Sequence, residues 1–180
     1  MKELSLNVLD IAKNSTAANA TEVNISLVTD TQGILTLTIL DNGCGMDSET
    51  LKRVSDPFYT TRKTRKVGMG LPLLRLAAEQ TGGSLAIKST TNEIEHGTKV
   101  SATFDSRHID FPPVGDIISS ICVLISGNPD VDFTFLDETP KRRVTLNTKE
   151  LRAVLGDVSL AEYEVIEWIR KYLSSQYEKN

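Results

Sequence analysis

The chain is poor in cysteine, with only Cys44 and Cys122 among its 180 residues. Two thiols cannot by themselves make a zinc site or a disulfide framework. Long apolar runs are also missing, and none approaches the roughly 18–20 residues needed to span a bilayer. The N-terminal MKELSLNVLDIAKN carries charges through its apolar stretch and has no cleavage signal, so it does not read as a secretory leader. Positive charge is in deficit. Twenty Lys and Arg against 24 Asp and Glu leave a net charge of −4 and a pI of about 5.3, the opposite of what a general nucleic-acid binder needs. The simplest expectation is a cytoplasmic protein that engages neither nucleic acid nor a membrane. What remains is an ordinary globular balance, 39% hydrophobic and 24% charged. A unit of this length buries roughly 70% of its unfolded surface and needs no staples.

Periodicity organises the first half as helix, strand, strand, long loop, helix, strand, strand. Leu4, Val8, Ile11 and Ser15 recur at helical spacing over residues 3–19. Val23, Ile25 and Leu27 alternate with polar residues, as do Leu35, Leu37 and Ile39 after Gly33. Residues 41–70 read mainly as loop with a short helix at Ser48–Val54. A helix over Leu71–Thr81 stops at Gly82-Gly83. Ser84–Ser89 and Thr98–Phe104 then form a strand pair. The Phe-Pro-Pro stretch within Asp105–Pro113 suggests a boundary, giving a domain over 1–105 and a small α/β region over 106–180. That second region reads as a helix at 114–126, strands at 131–136 and 141–146, and two helices. Ser159 and Glu162 fit a capping box for the last helix, whose apolar stripe is Val165, Ile169, Tyr172 and Leu173. Trp168 and Tyr172 read as core rather than as a ligand platform, and Cys122 as a buried small hydrophobe.

Three segments carry chemistry. On the first helix Asn7, Asp10 and Asn14 share one face. Asp and Asn are indifferent helix formers, so the stripe suits a carboxylate and an amide aimed at a metal and a water, although taken alone it fits a solvated face better. Magnesium takes such oxygen ligands, commonly one or two from protein. Next, Asp41-Asn42-Gly43-Cys44-Gly45-Met46 follows the second strand. Asp41 has the parity of Leu35, Leu37 and Ile39 and should face the covered side of the sheet. A buried carboxylate is costly without a donor, and the exocyclic amine of a purine would supply one. Gly43 and Gly45 would let backbone approach a flat ligand. The competing reading is an Asn-Gly hairpin. Finally, Arg62, Lys63, Arg65 and Lys66 place four cations in five residues ahead of Gly68-Met69-Gly70-Leu71. A basic loop before a glycine-opened helix suits a polyphosphate, and its spacing is not that of a P-loop.

In order, these pieces resemble the GHKL superfamily of gyrase, heat-shock chaperone, histidine-kinase and mismatch-repair ATPases. Asp10–Asn14 through Ala20-Thr21 is similar to the N-box, Asp41–Gly45 to the G1 box, Asp56–Lys63 to the F-box of histidine kinases and Gly68–Leu71 to their G2 box. His96-Gly97-Thr98 is similar to the final glycine-threonine motif.

The resemblance covers roughly residues 4–104. It implies a two-layer α/β sandwich of the Bergerat type, with the second half either completing the layer or appended to a minimal one. It also implies ATP and Mg2+ as cofactors, with Asn14 as the metal ligand. Asp41, Gly43, Gly45 and Thr98 would hold the adenine. Arg62, Lys63, Gly68, Met69, Gly70 and Leu71 would meet the phosphates.

Asp10 takes the position of the catalytic acid, which is usually glutamate in the hydrolysing relatives. His96 and His108 read as surface or loop residues, and neither lies on a long helical hairpin that could carry a phosphoacceptor. The expectation is therefore a stand-alone histidine-kinase-like protein that transfers phosphate to, or acts on, a separate protein partner. The alternatives are an ATP-operated binding switch and a slow ATPase.

Overall fold

The computed structural model describes residues 3–54, 70–92 and 94–179. Their order is α1 (Leu4–Ala17), β1 (Glu22–Thr29), β2 (Ile34–Asp41), α2 (Ser48–Arg53), α3 (Gly70–Gln80), β3 (Ser84–Thr91) and β4 (His96–Asp105). The chain continues through α4 (Ile117–Gly127), β5 (Asp132–Thr139), β6 (Arg142–Asn147), α5 (Thr148–Leu155) and α6 (Tyr163–Glu178). The strands form one six-stranded sheet in the order β3-β4-β2-β1-β5-β6. Neighbouring strands run antiparallel except β1 and β5, which pair in parallel with Val23 opposite Phe133 and Ile25 opposite Phe135. The second half thus continues the sheet begun by the first.

Alternation decides which face is covered. Val23, Ile25, Leu27, Leu35, Leu37, Ile39, Val100, Ala102, Phe104, Phe133, Phe135, Val144 and Leu146 are buried on one side. Against them pack α3, α1, α4 and α6, side by side in that order. They contribute Leu74 and Ala78, Leu4, Val8 and Ile11, Ile121, Leu124 and Ile125, and Val165, Ile169 and Leu173. Each fully buried large side chain contributes roughly 1.5–3 kcal/mol. The opposite face carries Asn24, Ser26, Thr36, Thr38, Lys99 and Ser101. Helix α5 is tied to the starts of β1 and β5 by Lys149 to Glu22 at 3.0 Å and Arg152 to Asp132 at 3.2 Å, with Leu151 and Leu155 against the core. Among the described residues no helix is long and apolar enough to cross a membrane.

Chain ends of elements explain where they stop. Gly82, with φ +74°, ends α3, and Gly83 N–H donates back to Ala78 O at 2.9 Å. Helix α1 has no side-chain cap. Its first amides are met instead by the 106–116 connection: Leu4 N–H donates to Pro113 O at 2.9 Å and Ser5 N–H to Val114 O at 2.8 Å. Asn147 caps α5 by accepting from Lys149 N and Glu150 N, a contribution of about 1 kcal/mol.

Two details of α6 differ from expectation. Its N-cap is Glu162, without a side-chain bond. Ser159 instead accepts from Ala161 N through its hydroxyl and from Glu162 N through its carbonyl, closing a local turn that delays the helix to Tyr163. Trp168 and Tyr172 are not core. They lie off the 165–169–173 stripe, 49% and 38% exposed, and stack on each other at 4.9 Å. Cys122 is buried as expected, and burial pushes its thiol pKa up.

The far end of the sheet holds a charged cluster. Asp137 on β5 is buried, accepting from Arg142 at 3.0 Å and from the Tyr177 hydroxyl at 2.7 Å. The Arg142 guanidinium lies 4.7 Å from the Tyr177 ring centroid. Beside it, the Gln176 amide accepts from Thr145 N and donates to Thr145 O, both at 2.9 Å. A helix side chain therefore plays the part of a strand neighbour at the β6 edge.

Candidate functional site

Asp41 is the last residue of β2 and faces the helices, as its parity requires. Its Oδ1 accepts from Gly43 N at 2.9 Å and Thr98 N at 3.2 Å, and its Oδ2 accepts from Ser15 Oγ at 2.6 Å. Three elements thus converge on one buried carboxylate: α1 through Ser15, the loop after β2 through Gly43, and β4 through Thr98. Register delivers Thr98, which lies directly opposite Asp41.

No hairpin follows Asp41. Asn42 folds back on β1, accepting from Thr21 N and Glu22 N at 2.9 Å and donating to Thr21 Oγ1. Cys44 N–H donates to Ala18 O at 2.9 Å. The loop then passes so close to the strands that a Cβ on Gly45, whose φ is +69°, would collide with Thr90 O. On Gly43 it would lie 2.9 Å from Ala18 O and 3.1 Å from Asp41 Oδ1. Both glycines are required by close approach of backbone. Asp47 ends the loop by capping α2, and its bonds from Thr50 hold its carboxyl below the usual carboxylate range.

A second pair lies along α1. Asp10 faces the start of α3, where a Cβ on Gly70 would sit 3.7 Å from Asp10 Oδ2. Asn14, one turn further on, is exposed and adjacent to Ser15. Asn7, the third member of the stripe, is buried, with its Nδ2 donating to Glu3 O at 3.4 Å. Among the described residues no three His, Cys, Asp or Glu side chains cluster as a metal site. The donors offered by Asp10 and Asn14 are oxygens, the type and number that magnesium takes from protein when phosphate and water complete its shell.

The structure therefore gathers Asp41, Gly43, Gly45 and Thr98 into one cluster. It brings Asp10 to Gly70, and it sets Asn14 on the helix that serves both. Leu71 is buried in the core with only 8% exposure. Arg62, Lys63, Gly68 and Met69, with the whole Asp56–Lys63 segment, lie outside the described residues.

Three contributors escaped the sequence reading. Ser15 falls in the apolar stripe of α1, where helical spacing gives no sign of its bond to Asp41. Ser89 bridges Thr98, Gly97 and Met46. His96 is exposed, yet its Nδ1 lies 2.7 Å from Gly43 O and pins the glycine loop.

The chain is similar to known proteins in both sequence and fold. Residues 1–108 match the model of a family described as histidine kinase-, DNA gyrase B-, and HSP90-like ATPase. A protein of Shewanella frigidimarina (strain NCIMB 400) whose name calls it a sensor protein is 35% identical over 107 residues, covering 57% of this chain and 16% of its own. The sensor histidine kinase CitA of Klebsiella pneumoniae is 30% identical over 109 residues, covering 57% and 19%. The chain thus spans less than a fifth of the length of either relative. In fold, the chain is similar to the Aquifex aeolicus MutL ATPase domain complexed with ADP. The TM-score is 0.57 at 16% identity, over 86% of this chain and 69% of that one.

Proposed function

The chain belongs to the histidine kinase-, DNA gyrase B- and HSP90-like ATPase family, and we propose that it is a stand-alone ATP- and magnesium-binding module of the cytoplasm that transfers phosphate to, or acts on, a separate protein partner. The observation that carries this reading is Asp41. A buried carboxylate fixed by three neutral donors still has lone pairs to offer, and the exocyclic amine of adenine is a donor of the right kind.

Residues 1–105 hold the nucleotide in this reading, and residues 106–180 are accessory to it. Asp41 and Thr98 meet the base, with Gly43 and Gly45 bringing backbone close to it. Asn14 would hold magnesium, which when bound neutralises phosphate charge. Arg62 and Lys63, with the Gly68–Leu71 turn, supply cations and backbone amides to the phosphates. Asp10, set against the first turn of α3, orients a water or an acceptor group.

Asp10 also motivates a second reading. It is one methylene shorter than the glutamate usual in hydrolysing relatives, and a base must come within roughly 2.6–3.2 Å of its proton. A protein that binds ATP and reshapes a partner surface with little chemistry fits that shorter reach. ATP labelled at the γ-phosphate separates the readings. Label on a partner protein supports transfer, free phosphate supports hydrolysis, and neither over hours supports the switch. Where turnover is found, Asp10→Asn should lower kcat about 100- to 10,000-fold with ATP affinity retained, because the lost interaction is made only in the transition state. Equal loss of affinity would remove Asp10 from a chemical role, and failure of the folded protein to bind ATP in calorimetry would end the nucleotide reading.

A further inference from the structure

Ser89 stands on β3, at the edge of the sheet and outside the segments from which ligand contacts were expected. Among the described residues three polar groups meet its hydroxyl: Met46 N at 2.8 Å, Gly97 O at 3.0 Å and Thr98 Oγ1 at 2.8 Å. A hydroxyl has one proton and two acceptor lone pairs. Met46 N–H can only donate, so it occupies one lone pair. Gly97 O can only accept, so it takes the Ser89 proton; otherwise two oxygens would face each other without a hydrogen between them. The Thr98 contact must then use the second lone pair of Ser89. Thr98 is the donor in that pair, and its only hydroxyl proton is committed to Ser89.

What Thr98 can still offer is lone pairs. Its neighbour across the register is Asp41, whose described contacts are all donations received. We propose that Ser89 is a specificity-determining residue: by taking the Thr98 proton it makes Thr98 an acceptor, so that Asp41 and Thr98 together favour a base edge that donates. A 6-aminopurine fits such a pair. A 6-oxopurine sets its carbonyl oxygen against acceptors and leaves buried polar groups unpaired. Ser89 acts through Thr98 and does not touch the ligand. The inference rests on the nucleotide reading above and assigns a residue and a polarity that the reading does not contain.

The test compares ATP and GTP binding by calorimetry in wild type, Ser89→Ala and Ser89→Thr. In Ser89→Ala the Thr98 proton is released and can turn to a 6-oxo group, so the ratio of ATP to GTP affinity should fall about tenfold. Ser89→Thr keeps the hydroxyl and should hold the ratio within about twofold of wild type. Should Ser89→Ala fail to fold, Ser89→Cys replaces it, since a thiol is a weak acceptor and should also lower the ratio. A ratio unchanged in Ser89→Ala, with both affinities equal to wild type or both reduced alike, would show a merely structural role and overturn the inference while leaving ATP binding intact. A folded wild type that binds neither nucleotide would overturn the nucleotide reading and this inference with it.

Discussion

Two carboxylates are buried on the same face of the same sheet, and they are held in opposite ways. Asp137, on β5, is met by the Arg142 guanidinium and the Tyr177 hydroxyl, with the guanidinium also lying over the Tyr177 ring. Its charge is neutralised by its own side-chain partner. Asp41, on β2, is met among the described residues by a serine hydroxyl and two backbone amides, all neutral. A buried charge without a paired cation is expensive unless further donors approach it. Burial of an acid therefore does not mark a site by itself. The nature of its partners separates the two: the Asp137 charge is paired, whereas the Asp41 carboxylate meets neutral donors, and only the proposed nucleotide reading gives it a further one.

The largest effect should come from opening the paired end. Asp137→Ala leaves Arg142, whose side chain is 31% exposed, and the Tyr177 hydroxyl without an acceptor. The expected loss is about 3 kcal/mol, at the low end for removing one partner of a buried ion pair because Arg142 reaches water. Urea denaturation measures it, and ATP affinity should stay near wild type. An affinity loss matching that of an Asp41 variant would erase the distinction between the two ends.

Asp41→Asn should do the converse. Its amide oxygen can still accept from Gly43 and Thr98, and Ser15 can rotate to accept from the new amide, so stability should change by less than about 1 kcal/mol. Toward adenine, however, an acceptor has become a donor, and ATP affinity should fall about 10- to 100-fold. Calorimetry showing unchanged affinity would return Asp41 to the same structural class as Asp137.

The smallest effect sharpens the paired end through pH. Tyr177→Phe removes one hydrogen bond and should cost about 1 kcal/mol near neutrality. Burial, reinforced by the bond to Asp137, raises the Tyr177 phenol above its ordinary value of 10.0. The unfolded chain therefore ionises first. Its stabilising contribution is full below about pH 10 and is lost as pH rises above that value. Denaturation curves between about pH 8 and about pH 11 should show a steeper alkaline decline in wild type than in Tyr177→Phe. Parallel declines would mean that the phenol is not shielded.

Local rules made much of this legible in the sequence. Alternation of Leu35, Leu37 and Ile39 set the parity that buries Asp41, and Gly82-Gly83 marked the end of α3. Longer-range placement was not legible. The parallel pairing of Val23 with Phe133 joins residues more than a hundred positions apart, and no periodicity encodes it. Ser15, Ser89 and His96 act through register and loop closure, which exist only once the sheet is assembled. Trp168 and Tyr172 misled because a four-residue spacing fixes that two residues share a helix face, not which face meets the core. Ser159 misled because its hydroxyl closes a turn before the helix begins.

The Gln176 amide has a consequence for self-association. It engages both backbone hydrogen-bonding groups of Thr145, so a strand arriving there from another molecule would first have to displace the Gln176 side chain. At the opposite border, among the described residues, β3 has β4 on one side and no strand on the other. Templated polymerisation requires two receptive borders. With β6 covered by an amide at Thr145, strand addition is disfavoured at that border, which favours pairs joined through β3 over a fibre.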